Sequence, residues 1–191
     1  KPEQTQARKK IQEGAKSSEE AKKEIEKGER EKGSEKQEDT AKNLKDAQKA
    51  LEDLLRQIRE EEIERLLAAL QGRCEEMLRM QIAVLQGTED VHKAVERNEG
   101  KPSRQDTQRS NELANDEQAI IKICATASRL VEEEGSAVAF AEVFKQVYTD
   151  MVKVEKRLQV ADVGVVTQTI EKDIIDTLRE MVDALKKAQK E

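Results

Sequence analysis

From residue 61 onward, apolar residues recur at intervals of three and four, the spacing of helices with one buried side. Ile63, Leu66, Leu67, Leu70, Cys74, Met77, Leu78, Ile82, Val84 and Leu85 form the first stripe. Leu113, Ile120, Ile121, Ile123, Cys124, Ala127, Leu130 and Val131 form the second. A third runs from Val138 and Phe140 through Phe144, Val147, Met151 and Val154 to Leu158, and a fourth through Ile170, Ile174, Leu178, Met181 and Leu185. Break signals separate them: Gln86-Gly87-Thr88, with Thr88 before Glu89 and Asp90 as a new start; the linker RNEGKPSRQD at 97–106; Gly135 followed by Ser136; and Gly164, with Thr167 or Thr169 as the next cap. Such short connections make neighbouring helices antiparallel. Residues 61–191 are therefore expected to form a four-helix-type bundle.

Residues 1–60 have a different texture. Ile11 and Ile25 stand two heptads apart, with Ala15, Ser18 and Ala21 between them. Leu44, Leu51 and Ile58 continue at heptad spacing, with Ala47 and Leu54 at the intervening d-like positions. Glu19–Lys23, Glu26–Arg30, Glu38–Lys42 and Glu52–Arg56 fall at i,i+4, each worth about 0.2–0.5 kcal/mol. Gly33 and the S-x-x-Q box Ser34–Gln37 predict a turn there, ending helix one (3–32) and starting helix two near 35. Gly14, followed by Ser17-Ser18-Glu19-Glu20, offers an internal break in helix one. An unbroken helix two as far as residue 86 would be about 78 Å long. The pattern predicts an antiparallel coiled-coil hairpin, a charged stalk over 1–60, leading into the bundle.

Composition fixes the class as all-α. Charged residues make up 40% of the chain and hydrophobic ones 36%, with no Trp, one Tyr and two Phe, the profile of long helices rather than sheets. Net charge is −6 with the two signs interspersed, so a phosphate-tracking surface is missing and nucleic acid is disfavoured as a partner. No apolar run approaches the roughly 18 residues of a membrane span. The opening KPEQTQ, without Met, reads as part of a longer protein. Cys74 and Cys124 allow at most one internal disulfide.

The most suggestive chemistry lies in GRCEEMLRMQIAVLQGTEDVH, residues 72–92. With Cys74 at zero on a helical wheel, Met77 falls near −60° and Met80 near −120°. The neighbouring apolar residues span about −80° to +40°, so Cys74 and Met77 read as core and Met80 as its margin. Gln81, near −20°, either specifies register or marks a splayed edge. Glu89 and His92 spell E-x-x-H, but ferritin-like di-metal bundles need two such motifs and His92 is the sole histidine. A metal site would need Glu89, His92 and possibly Cys74 contributed across a homodimer. Otherwise His92 is a helix-end or loop residue. No nucleophile has a positioned base, no carboxylate pair stands out, and no phosphate loop occurs. The acids of VEEEG at 131–135 oppose the helix dipole, as a solvated face or a basic-partner contact.

The segments LEDLLRQIREEEIERLLAALQGRCEEMLRMQ, EEEGSAVAFAEVFKQVYTDM and VGVVTQTIEKDIIDTLREMVDALKKAQKE resemble an uncharacterised family of bacterial helical proteins, over about residues 40–191. These carry a charged coiled-coil region before a helical module, usually in longer, envelope-directed chains. The resemblance implies an envelope or periplasmic location, with the cytoplasm as the alternative, and lends no activity, cofactor or functional residue. The expected function is a non-enzymatic structural or protein-interaction module without a cofactor, forming a homodimer or larger assembly or capturing a protein partner. Leu44, Leu51, Leu54 and Ile58 are the expected anchors. A metal-binding bundle and a small-molecule-binding bundle are the competing classes.

Overall fold

The computed structural model describes residues 2–135 and 138–190, with the side chains of residues 2–4, 6, 7 and 138 left aside. Among the described residues there are five α-helices and no strand: α1 (Pro2–Glu26), α2 (Arg30–Arg97), α3 (Arg104–Glu134), α4 (Val138–Gln159) and α5 (Val165–Ala188). The chain divides into two compact units, Lys1–Ile63 and Glu64–Glu191, with the division inside α2.

In the first unit α1 and the start of α2 run antiparallel. Ile25 meets Gly33, Lys36 pairs with Glu20 at 3.0 Å, the Asn43 amide reaches Ser17 Oγ at 3.5 Å, and Leu44 lies against Gly14. Small residues line the contact. Ala21 and Ala47 are buried, as are Gly14 and Gly33, and Leu54 is the one large hydrophobic side chain buried among the described residues of this unit. Small side chains permit helix axes at the short end of the usual 8–10 Å separation.

The second unit has a true core. Leu70, Cys74, Met77, Val84 and Val91 on α2 join Leu113, Ile120, Cys124, Ala127 and Val131 on α3. From α4 come Phe144, Val147, Met151, Val154 and Leu158, and from α5 Ile174, Leu178, Met181, Val182 and Leu185. With the buried polar residues Gln81, Thr88 and Glu117 filling the gaps, these positions follow the three-and-four spacing of side-by-side helices. Ser103 caps α3 through a reciprocal box with Asp106, and Gly135 closes it in the left-handed conformation at φ 73°. Both cysteines are buried and free.

Several expected boundaries are corrected. The first turn is at Gly28 (φ 82°), not Gly33, and α1 continues through Gly14. Gly33 lies inside α2, where its missing Cβ makes room for Ile25. Ser34 therefore caps nothing. α2 also passes through Gly87-Thr88 to Arg97, because Gly87 abuts Leu113 and the Thr88 hydroxyl is engaged by groups within the core rather than by a helix start. At α5 the N-cap is Gly164, without a side-chain bond, while Thr167 binds the Asp162 carbonyl and accepts from Arg157 Nε. The expected start at Ser136 lies outside the described residues.

Candidate functional site

Two arrangements stand out, one in each unit. The first is an apolar face on the first unit. Taking Ala47 as the centre of the α2 contact line, Leu44, Leu51 and Leu55 are rotated to one side by about 40–80°. On α1, Ile11 and Ile25 are rotated from Ala21 by a similar angle. The helices are antiparallel, so these rotations bring all five side chains to the same face. They remain 45% (Ile11), 46% (Ile25), 52% (Leu44), 40% (Leu51) and 66% (Leu55) exposed, far above core values. Ala15, Ser18, Gln37, Ala41 and Gln48 fill the spaces between them. In a chain with 40% charged residues, Lys22 and Glu26 are the charges that line this side beside Ser18, Ile25 and Gln37. The opposite edge of the same helix pair instead carries Glu13, Glu20, Lys36, Asp39, Asp46 and Asp53.

Of the expected anchors, Leu44 and Leu51 lie on this face and Ile58 is half-buried at its margin. Leu54 departs from the expectation: at 9% exposure it is buried within its own unit, because it stands seven residues beyond the buried Ala47 on the same line of the helix. Leu55 was missed: it departs from the strict heptad of Leu44, Leu51 and Ile58, yet shares their side of the helix.

The second arrangement is polar and lies inside the second unit. Gln81, Thr88, Ser110, Glu117, Thr167 and Glu171 are all fully buried. Gln81 Nε2 donates to Glu117 Oε2 at 2.8 Å, and the Thr88 hydroxyl lies 2.8 Å from Glu171 Oε1. Ser110 donates to the Leu158 carbonyl at 2.6 Å. Gln81 and Thr88 are seven residues apart on α2, as are Ser110 and Glu117 on α3, so the polar groups recur about 10.5 Å apart along each helix. Burial pushes the Glu117 carboxyl up to about 8, against the opposing Gln81 bond, and Glu155 and Glu171 push the same way. It pushes Glu171 up to about 7 against the bond from Thr88, with Glu89 raising and Lys172 lowering it.

The structure does not bring Cys74, Glu89 and His92 together. Cys74 is fully buried beside α3, with burial raising its thiol to about 12, which makes it an inert packing group. It lies about 27 Å along α2 from His92. Glu89 pairs with Lys172 at 3.4 Å, and His92 Nε2 is 3.4 Å from Glu96. His92 thus lies near the C-terminal end of α2, which closes at Arg97, rather than in a loop. Among the described residues, no cluster of three or more His, Cys, Asp or Glu has ligand geometry. The acids at the end of α3 face cations of their own unit: Glu132 lies 3.7 Å from Lys145, and Glu133 3.9 Å from Arg129.

Gln81, left between a register residue and a margin residue by the sequence, is a core residue. Glu117 and Glu171 were missed as candidates. Their signal was positional: Leu113, Glu117, Ile120, Cys124 and Thr167, Glu171, Ile174, Leu178 are each spaced by fours and threes, putting a carboxyl in an apolar slot. No helix of the described residues is long and apolar enough to cross a membrane. In comparisons with known proteins, no family model matches the chain, and neither the curated proteins nor the solved structures give a significant match.

Proposed function

We propose that the chain is a non-enzymatic structural protein, comprising an antiparallel coiled-coil hairpin and a four-helix-type bundle, that self-associates through the apolar face of the hairpin. The observation that carries this reading is the exposure of Ile11, Ile25, Leu44, Leu51 and Leu55 on one charge-poor side. Contiguous apolar surface of this kind marks an interaction site. A second copy is the favoured occupant because both helices of the face repeat at heptad-compatible spacing, and another such face offers matching ridges. Capture of a different protein's amphipathic helix by the same face is the alternative partner. An envelope location rests on the family resemblance and stands as part of the proposal.

The test is light scattering of the full chain and of the Leu51→Lys/Leu55→Lys variant. The parent is expected to show at least twice the monomer mass, and the variant the monomer mass with unchanged helicity. A monomeric parent at high concentration, or an unchanged mass in the variant, would reject self-association.

A further inference from the structure

Adding protons to its buried carboxylates brings the hydrogen bonds of the second unit's core closer to balance. Gln81 Nε2 donates to Glu117 Oε2, and the atoms left without a partner are Gln81 Oε1 and Glu117 Oε1, one on each member of the same pair. With Glu117 ionised, both are acceptors, and neither can satisfy the other. Turning the amide over does not repair this, because it sets the amide oxygen against Glu117 Oε2 in place of the donor. A proton on Glu117 Oε1 would supply the missing donor: given to Gln81 Oε1 while Oε2 accepts from Nε2, it would close a carboxylic acid–carboxamide ring.

Thr88 and Glu171 repeat the logic. The Thr88 hydroxyl lies 3.0 Å from the Val84 carbonyl and 2.8 Å from Glu171 Oε1, yet has one proton to give. Protonated Glu171 donates to Thr88, which donates onward to Val84, so both contacts become hydrogen bonds, while Glu171 Oε2 keeps no partner among the described residues.

The charged groups around these sites do not supply the missing positive charge. Glu117 on α3 meets the neutral Gln81 from α2, Glu155 from α4 and Glu171 from α5. Glu171 meets Thr88 and Glu89 from α2, and Lys172 from its own helix is already paired with Glu89.

We propose that the bundle core carries two exchangeable protons, one on Glu117 in a ring with Gln81 and one on Glu171 in a relay through Thr88, and that their loss in base unlatches α2 from α3 and α5. The raised affinities of both carboxyls for protons agree with this. Both start from an ordinary value of 4.5 when unfolded, so the folded chain holds the extra protons as pH rises. The contribution of these two groups to stability is therefore complete below about pH 4.5 and is lost as pH climbs through about 7 and 8, opposite in sign to acid denaturation.

The experiment is thermal unfolding of the full chain from about pH 5 to about pH 9, beside infrared spectra of its carboxyl groups. The melting temperature is expected to fall by roughly 10 °C over this range. Glu117→Gln, whose amide supplies the donor permanently, should remove much of that fall, and Glu171→Gln most of the remainder. Near pH 6 the native chain should show a protonated-carboxyl carbonyl band that weakens in each variant. A pH-independent melting temperature together with no such band would overturn the proposal, since a buried water donating to both oxygens would then satisfy an ionised Glu117. The infrared band is read on the unaltered chain, so a variant that fails to fold leaves the test intact.

Discussion

Gly87 gives Leu113 its place in the core: a Cβ at position 87 would lie 2.5 Å from Leu113 Cδ2 and 3.2 Å from Cδ1. Leu113 is 1% exposed and has little freedom to retreat. Replacing glycine within a helix ordinarily gains about 1 kcal/mol, but overpacking a core costs about 1–3 kcal/mol. Gly87→Ala is therefore expected to destabilise the chain on balance. Gly72, on the same helix with nothing within 4 Å of an added Cβ, should show the helix gain alone. Urea unfolding of the two variants checks this, and opposite signs are the expected result.

Removing one member of a buried polar pair costs more than removing both. Thr88→Val leaves Glu171 without its partner and should destabilise by about 1–3 kcal/mol. The double variant Thr88→Val/Glu171→Leu replaces the pair by apolar groups and should recover most of that loss. A double-mutant cycle at about pH 6 measures the coupling, and strictly additive losses would contradict the pairing.

Cys74 and Cys124 are fully buried, and burial raises both thiols to about 12. Nucleophilic attack needs the thiolate, so a thiol-specific reagent at about pH 8 should react only as fast as the bundle opens. Unfolding the chain in guanidinium should raise the rate by several orders of magnitude. Rapid labelling of the folded chain would contradict the core placement.

What the sequence disclosed depended on how strongly local pattern and tertiary packing agreed. The apolar stripes after residue 63 were legible because large side chains mark the buried side of each helix without ambiguity. The first unit was legible in part. Leu44 and Leu51, the expected anchors, stand at the rim because Gly14, Ala21 and Ala47 fill the contact between the two helices. Gly28 and Gly33 carry equally good turn signals, and only the meeting of Ile25 with Gly33 decides between them. Glu117 and Glu171 escaped notice because a carboxylate is expected on a solvated face. Their slot in the four–three alternation, rather than their residue type, was the clue.

The seven-residue recurrence of the polar groups has a consequence for how the chain finds its fold. Helices built on a repeating apolar pattern can slide past one another by one repeat and still bury similar surface. Such a slide between α2 and α3 would set Glu117 level with Cys74 or Thr88 instead of Gln81, stranding a buried carboxyl beside a group that cannot close the same ring. Each misaligned alternative thus carries a penalty that the aligned one avoids. The polar residues act as tally marks along otherwise interchangeable rungs, and the bundle can be counted into place.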